Sequence, residues 1–260
     1  MTTAAPTTPA LPRPSATVLI VRDAPDGLEI FMVARDRQVD MASGAVVFPG
    51  GKIDADDRAP VWGALAAPKA PDRAYWIAAV RETFEEAGLL IASGAAGPIA
   101  AAEATRIAGT LRTPLLDGNV KFSQLMTEKG LQPALDSMAP FAHWVTPLQV
   151  PKRFETHFFL VAALPGQEAV HDGREAVSSF WMRPKDLLAD GAAGRQTLVP
   201  PTRLNLELLA ESETVAEALI AARARTIVTV MPEMTKIEGG MRLSIPADAG
   251  YRTTEVVLKR

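Results

Sequence analysis

Between Ser15 and Val21, residues Thr17, Val18, Leu19, Ile20 and Val21 form a β-branched and apolar run, and a second such run occupies Leu28 to Ala34. Short runs of this kind predict buried strands, and the Pro, Asp and Gly within Asp23 to Gly27 predict a tight turn that folds the two into a hairpin. A third strand is predicted over Ala45 to Phe48, leading into a loop at Pro49-Gly50-Gly51. After a Pro-rich irregular stretch from Asp56 to Pro71 the period changes. Over Ala74 to Leu90 the apolar residues Ile77, Val80, Phe84 and Ala87 recur every three or four positions, as on one face of a helix. Asp72 is placed to cap its start and Gly88 lies near its end.

Residues 101–136 read as largely helical, with breaks at Pro114, Gly118 and Gly130. Strands are predicted again at Phe141 to Val145 and Thr156 to Ala163, and a strand ending in Phe180-Trp181-Met182 leads to a short helix over Pro184 to Leu188. One helix is predicted over Arg203 to Ala222, followed by extended segments at Thr226 to Val230, Met241 to Ile245 and Glu255 to Leu258. This order is that of an α+β protein. Residues 1–14, rich in Thr, Ala and Pro, read as a flexible tail without the cationic start or apolar core of a secretory signal.

Composition narrows the function classes. Apolar residues make up 48% of the 260, enough for a sizeable core. A net charge of −3 with both signs scattered gives no basic footprint, so neither nucleic acid nor an anionic membrane is an expected partner. The absence of cysteine excludes disulfides, thiolate nucleophiles and Cys-based zinc sites. No apolar run approaches the ~20 residues that span a bilayer. Cytosol is the expected compartment, and Val257-Leu258-Lys259-Arg260 does not form a Ser-Lys-Leu type of peroxisomal ending.

The chemistry-bearing segment is Arg81-Glu82-Thr83-Phe84-Glu85-Glu86-Ala87-Gly88-Leu89. Helical spacing brings Glu82, Glu85 and Glu86 to one flank, where their charges repel unless a cation intervenes. Such hard oxygen donors suit Mg²⁺ or Mn²⁺, and Arg81 is placed to hold one carboxylate. Taken alone, this string reads first as a solvated acidic face with an Arg for balance. The upstream Phe48-Pro49-Gly50-Gly51-Lys52-Ile53-Asp54 changes the balance, because paired glycines between a strand and an acidic helix allow close backbone approach to a ligand or metal.

With these two pieces the sequence resembles the nudix family, whose box reads G-x5-E-x7-R-E-U-x-E-E-x-G-U with U apolar. Gly51, Arg81, Glu82, Glu85, Glu86, Gly88 and Leu89 match. Asp57 stands at the first Glu, Thr83 stands at an apolar position, and 23 residues separate Asp57 from Arg81 where the pattern has seven. Further likeness, in 44–51, 140–147, 153–159 and 198–202, is to the peroxisomal-type coenzyme A diphosphatases of that family. Arg35 with Gly44 to Gly51 partly matches a coenzyme A signature, in which Asp40 replaces an Arg.

The resemblance implies a nudix α/β/α sandwich with a mixed sheet, a loop insertion inside the box and a C-terminal extension. The domain would span 15–195, with insertions at about 58–73 and 101–138, and residues 196–260 would pack on it as the extension. It implies Mg²⁺ or Mn²⁺ held by Glu82, Glu85, Glu86 and the Gly51 carbonyl, with Glu85, Glu86 and Arg81 catalytic. The general base would come from the box helix or from a later loop, where Glu175 is the candidate. Arg35, Gly50, Gly51 and Arg153 would bind substrate, Arg153 having a surface ion pair with Glu155 as its alternative. His143, His157 and His171 are expected in structural or exposed roles, and Trp144, Phe158, Phe159 and Trp181 in the core. The substrate would be a small nucleotide derivative: coenzyme A or its acyl forms, or else NADH or ADP-ribose. A nudix-fold module that binds a nucleotide without cleaving it is the other reading, and a homodimer is allowed for.

Overall fold

The computed structural model describes residues 10–35, 44–65 and 72–259. The predicted hairpin is present: β1 (Arg13–Ala24) and β2 (Gly27–Arg35) pair antiparallel, with Val21 opposite Ile30. β1 begins earlier than the apolar pattern indicates, because Arg13 and Pro14 pair with Phe154 and Glu155; these two residues belong to the sheet and not to a tail. β3 (Val46–Val47) pairs with β2, and β4 (Gly50–Lys52) pairs with β1. Gly50 and Gly51, expected in a loop, are therefore strand residues, fixed by pairing with Thr17 and Ala16.

A short helix α1 (Trp62–Leu65) precedes α2 (Arg73–Ala87). Asp72 occupies the N-cap position of α2 but its side chain makes no capping bond, whereas Gly88 ends the helix in the left-handed conformation. A small sheet, β5 (Ala92–Gly94), β6 (Gly97–Pro98) and β7 (Gln132–Pro133), frames the helices α3 (Ala101–Leu116) and α4 (Phe122–Glu128). β8 (Met138–Val145), β9 (Phe154–Ala162) and β10 (Ala176–Met182) complete most of the main sheet, and α5 (Pro184–Ala192) follows.

The helix expected over Arg203 to Ala222 is two: α6 (Pro200–Leu209) and α7 (Val215–Ala224). The break is a capped helix start, close to a capping box but with the return bond one residue earlier. Thr214 accepts from the Glu217 N–H, and the Glu217 carboxylate reaches back to the Glu213 N–H. The chain ends with β11 (Thr229–Val230) and a separate antiparallel sheet of β12 (Glu233–Ile237), β13 (Gly240–Ser244) and β14 (Glu255–Lys259).

The main sheet is mixed, in the order β10-β2-β1-β9-β8-β11 with β3 and β4 added beside β2 and β1. Alternation along β1 sends Ala16, Val18 and Ile20 to one face and Leu19 and Val21 to the other. The first face is covered by α2, through Ile77, Val80, Phe84 and Ala87, with α3 and α4 behind it. The second is covered by α5, α6 and α7, and β13 and β14 pack into the same core. Trp144, Phe158 and Phe159 are buried as expected, with Trp144 Nε1 donating to the Tyr251 hydroxyl. The result is an α/β/α sandwich that presses α2 onto β1 and β4. Among the described residues no helix is long and apolar enough to cross a membrane.

Candidate active site

The site is built where β4 meets α2. The Gly50 N–H donates to Glu86 Oε2 at 2.8 Å, fastening the strand to the helix. Both glycines are closely approached, Gly50 by backbone that cannot give way and Gly51 by the tip of a side chain. A Cβ on Gly50 would lie 2.4 Å from the Ala16 carbonyl oxygen, and one on Gly51 would lie 2.4 Å from Glu82 Oε1. The double glycine thus exists so that backbone and carboxylates can meet without an intervening methyl group.

Arg81 organises the acids around that contact. Its Nε and Nη2 donate to the two oxygens of Asp57, each at 2.9 Å, in the planar fork that a guanidinium offers a carboxylate. Nη1 donates to Glu82 Oε1 and to Glu85 Oε2, and Nη2 also donates to the Lys52 carbonyl. The side chains of Asp57, Arg81 and Glu82 are all at least nine-tenths buried, while that of Glu85 retains 18% exposure. Thr83, at the apolar position, is also buried, and its hydroxyl is satisfied by the Ala79 carbonyl at 2.8 Å. A threonine therefore fits there at no cost in unpaired polarity.

One guanidinium is shared by Asp57, Glu82 and Glu85. Burial pushes Glu82 up to about 7, against the pull of Arg81, and Glu85 and Asp57 are raised for the same reason. Burial alone would lower Arg81, but its bonds to Asp57 and the charges of Glu82 and Glu85 raise it above its ordinary value. The cation is held firmly and the anions are under-compensated, which is the electrostatic state of a site short of positive charge.

The family model for the NUDT19 nudix domain matches residues 64–209, more than half of the chain. The chain belongs to the nudix hydrolases. It is 25% identical over 273 aligned positions to the human acyl-coenzyme A diphosphatase NUDT19, covering 87% of this chain and 73% of that protein. A Caenorhabditis elegans protein bearing the name nudix hydrolase 7 is 29% identical over 183 residues, and the chain spans 56% of its length. The crystal structure of a nudix hydrolase from Alicyclobacillus acidocaldarius superposes with a TM-score of 0.65 at 27% identity, over 80% of this chain and 96% of that one.

Asp57 stands at the place of the first Glu of the nudix box. The 23-residue spacer leaves it bonded through both oxygens to Arg81, because a loop insertion costs little once its ends are fixed. Nudix hydrolases use divalent metal ions, and the donor chemistry here suits one, with the carboxylates of Glu82 and Glu86 buried beside Gly51 and Glu85 at the exposed rim, although oxygens of all three do not lie within 4.8 Å of one another in this arrangement. Two expectations follow. In Gly51→Ala the added methyl displaces the Glu82 carboxylate, so metal affinity should fall by on the order of 10- to 100-fold, the range seen when a ligand's positioning is disturbed, while the fold is kept; calorimetric titration with Mn²⁺ measures this. The second concerns pH. Because Glu82 is raised from 4.5 to about 7, its contribution to stability is complete below its unfolded value and is lost as pH rises through about 7. In chelator, Glu82→Gln should therefore melt above wild type at pH 8, with the gap closing at pH 5 in paired thermal melts.

The other residues singled out in the sequence are not all brought to this point. Arg153 is 6% exposed, and its nitrogens donate to the Thr146 carbonyl (3.0 Å), the Ala10 carbonyl (2.8 Å) and Met231 Sδ (3.6 Å). Its bonds go elsewhere than to Glu155: the buried guanidinium takes one carbonyl from the β8–β9 connection, one from the segment before β1 and the Met231 sulfur, which occupies its nitrogens and ties three segments together. Glu175 is exposed, and its N–H donates to Asp172, whose carboxylate shapes that loop by accepting from three successive backbone N–H groups. Arg35 ends β2, but its side chain and Asp40 lie outside the described residues. His171 meets Ser179, and Arg22 lies over the Trp181 ring at 4.2 Å.

Arg112 gave no sequence signal, because it sits in the helical insertion. Its Nε donates to the Glu85 carbonyl, and Nη2 is buried without a hydrogen-bond partner. Burial lowers Arg112, opposed by the charges of Asp172 and Glu86, which places it beside the box.

Proposed function

We propose that the chain hydrolyses the diphosphate linkage of coenzyme A or acyl-coenzyme A, giving adenosine 3′,5′-bisphosphate and the (acyl-)4′-phosphopantetheine. The observation that carries the reaction is the buried set Asp57–Arg81–Glu82–Glu86 pressed against Gly50 and Gly51. The relatives named as acyl-coenzyme A diphosphatases support the substrate.

Glu82, Glu86 and the Gly51 carbonyl would hold Mg²⁺ or Mn²⁺, with Glu85 reaching it through water. Held there, such a cation would supply polarisation of the phosphoryl oxygens and offset their charge. Arg81 keeps Glu82 and Glu85 in place and leaves Glu86 fixed by the Gly50 N–H. Glu85, the most exposed box carboxylate with one oxygen on Arg81, takes the proton from the attacking water. Water adds its oxygen to one phosphorus, the bridging P–O bond breaks, and the second phosphate departs with that oxygen. Glu175, exposed on its loop, is the alternative base, and Glu175→Gln separates the two.

The test is product analysis on coenzyme A, acetyl-coenzyme A, NADH and ADP-ribose with Mg²⁺ or Mn²⁺. The proposal expects adenosine 3′,5′-bisphosphate from the coenzyme A substrates. Cleavage confined to NADH or ADP-ribose overturns the substrate and leaves the reaction. Saturable nucleotide binding without turnover of any of the four would favour a binding module.

A further inference from the structure

Three ligand-type side chains outside the box converge on the face of the sheet that carries α2. His143 in β8 is directly paired with His157 in β9, and Glu155 lies two residues before His157 on the same strand face. The imidazole rings stand 4.1 Å apart, and His143 Nε2 lies 3.2 Å from Glu155 Oε1. One ligand atom from each of the three residues falls within 4.8 Å of the others, and they are the one such group among the described residues.

We propose that His143, Glu155 and His157 form a second metal site, for a borderline dication of the Zn²⁺ class, distinct from the box glutamates. Two imidazoles and a carboxylate are the donors such ions prefer over Mg²⁺, whose partners are oxygens. With bonds of about 2.0 Å, tetrahedral ligand atoms stand about 3.3 Å apart. The His143–Glu155 pair is already at that spacing, and the His157 ligand atom, within 4.8 Å of both, has to draw in to complete the set. Three protein ligands leave a fourth position for water or another small donor, on the side where His143 and Glu155 keep 17% and 33% of their side-chain surface.

The surroundings are arranged as a ligand set requires. His143 Nδ1 is 2.8 Å from the Thr229 hydroxyl, which fixes the ring so that Nε2 faces the cluster. Tyr75, at the start of α2, packs on His157 with ring centroids 4.0 Å apart and the planes tilted by 33°, its hydroxyl beside Glu155, and holds the opposite wall. The register gives the separation from the box. Gly51 pairs with Ala16, Ala16 with His157, and His157 with His143, so two strand spacings of ~4.8 Å lie between Gly51 and His157. The two sites share a sheet face and no residue, and this inference does not depend on the identity of the nucleotide substrate.

The test uses the full chain, stripped with chelator and held in excess Mg²⁺. Calorimetric titration with Zn²⁺ should show one equivalent bound in wild type and in Glu86→Gln. Affinity should fall at least tenfold in His143→Gln, His157→Gln and Glu155→Gln, each checked for fold by circular dichroism. A readout on wild type guards against variants that fail to fold: bound Cu²⁺ should show nitrogen superhyperfine structure in its electron paramagnetic resonance spectrum, which a set of carboxylates cannot give. Zn²⁺ binding that vanishes in Glu86→Gln, or that survives in folded His143→Gln and His157→Gln, overturns the proposal. So does a Cu²⁺ spectrum with oxygen ligation alone.

Discussion

Glu86→Gln is expected to lower kcat for diphosphate hydrolysis by about 10²- to 10³-fold, the equivalent of several kcal/mol of transition-state charge stabilisation. The substitution keeps the shape of the side chain and an oxygen to accept the Gly50 N–H, so strand and helix stay joined. What it removes is one negative charge from a cluster meant to hold a cation. Melting temperature should consequently stay within a few degrees of wild type, and in chelator it should not fall. Steady-state rates over a Mg²⁺ series, with a thermal melt on the same preparation, separate loss of the metal site from loss of the fold. A rate within threefold of wild type would remove Glu86 from the site.

Arg81→Ala should have the largest effect on stability. Its guanidinium satisfies Asp57 through both oxygens, Glu82, Glu85 and the Lys52 carbonyl, all in a region closed to solvent except at Glu85. Truncation strands those acceptors, and breaking a buried ion pair from one side costs about 3–5 kcal/mol. At this chain length that corresponds to a fall in melting temperature of roughly 6–20 °C. Arg81→Lys restores a charge but not the fork, so it should recover part of the stability and little of the activity. Denaturant titration of the three proteins in chelator checks the order; a loss below 1 kcal/mol in Arg81→Ala would contradict the central place given to this residue.

Much of this arrangement was legible in the chain because it depends on local periodicity. The β1–β2 hairpin follows from two β-branched runs around a turn, and α2 follows from Ile77, Val80, Phe84 and Ala87. The acids were legible from spacing, since i, i+3 and i+4 positions share a helix flank. Contacts between distant segments were not. Nothing in the order of residues shows that Asp57, one methylene shorter than the glutamate of the box and beyond an insertion, still reaches Arg81. Nor does spacing reveal that Arg153 is buried against Thr146, Ala10 and Met231, which turns a phosphate-binding candidate into a clamp. Arg112 belongs to an insertion without a motif and becomes visible only through its unpaired Nη2. The break between α6 and α7 did carry a signal, Thr214 followed by Glu217, which the continuous apolar pattern obscured.

The carboxylates of α2, with Gly51, are expected to hold a divalent cation. Electron paramagnetic resonance titration of Mn²⁺ into the chelator-stripped protein, in wild type and Glu86→Gln, tests it directly. Saturable loss of the free Mn²⁺ signal in wild type, weakened at least tenfold in Glu86→Gln, is the result this account predicts. Equal Mn²⁺ binding by the two proteins, or none by either in the presence of coenzyme A, would contradict it.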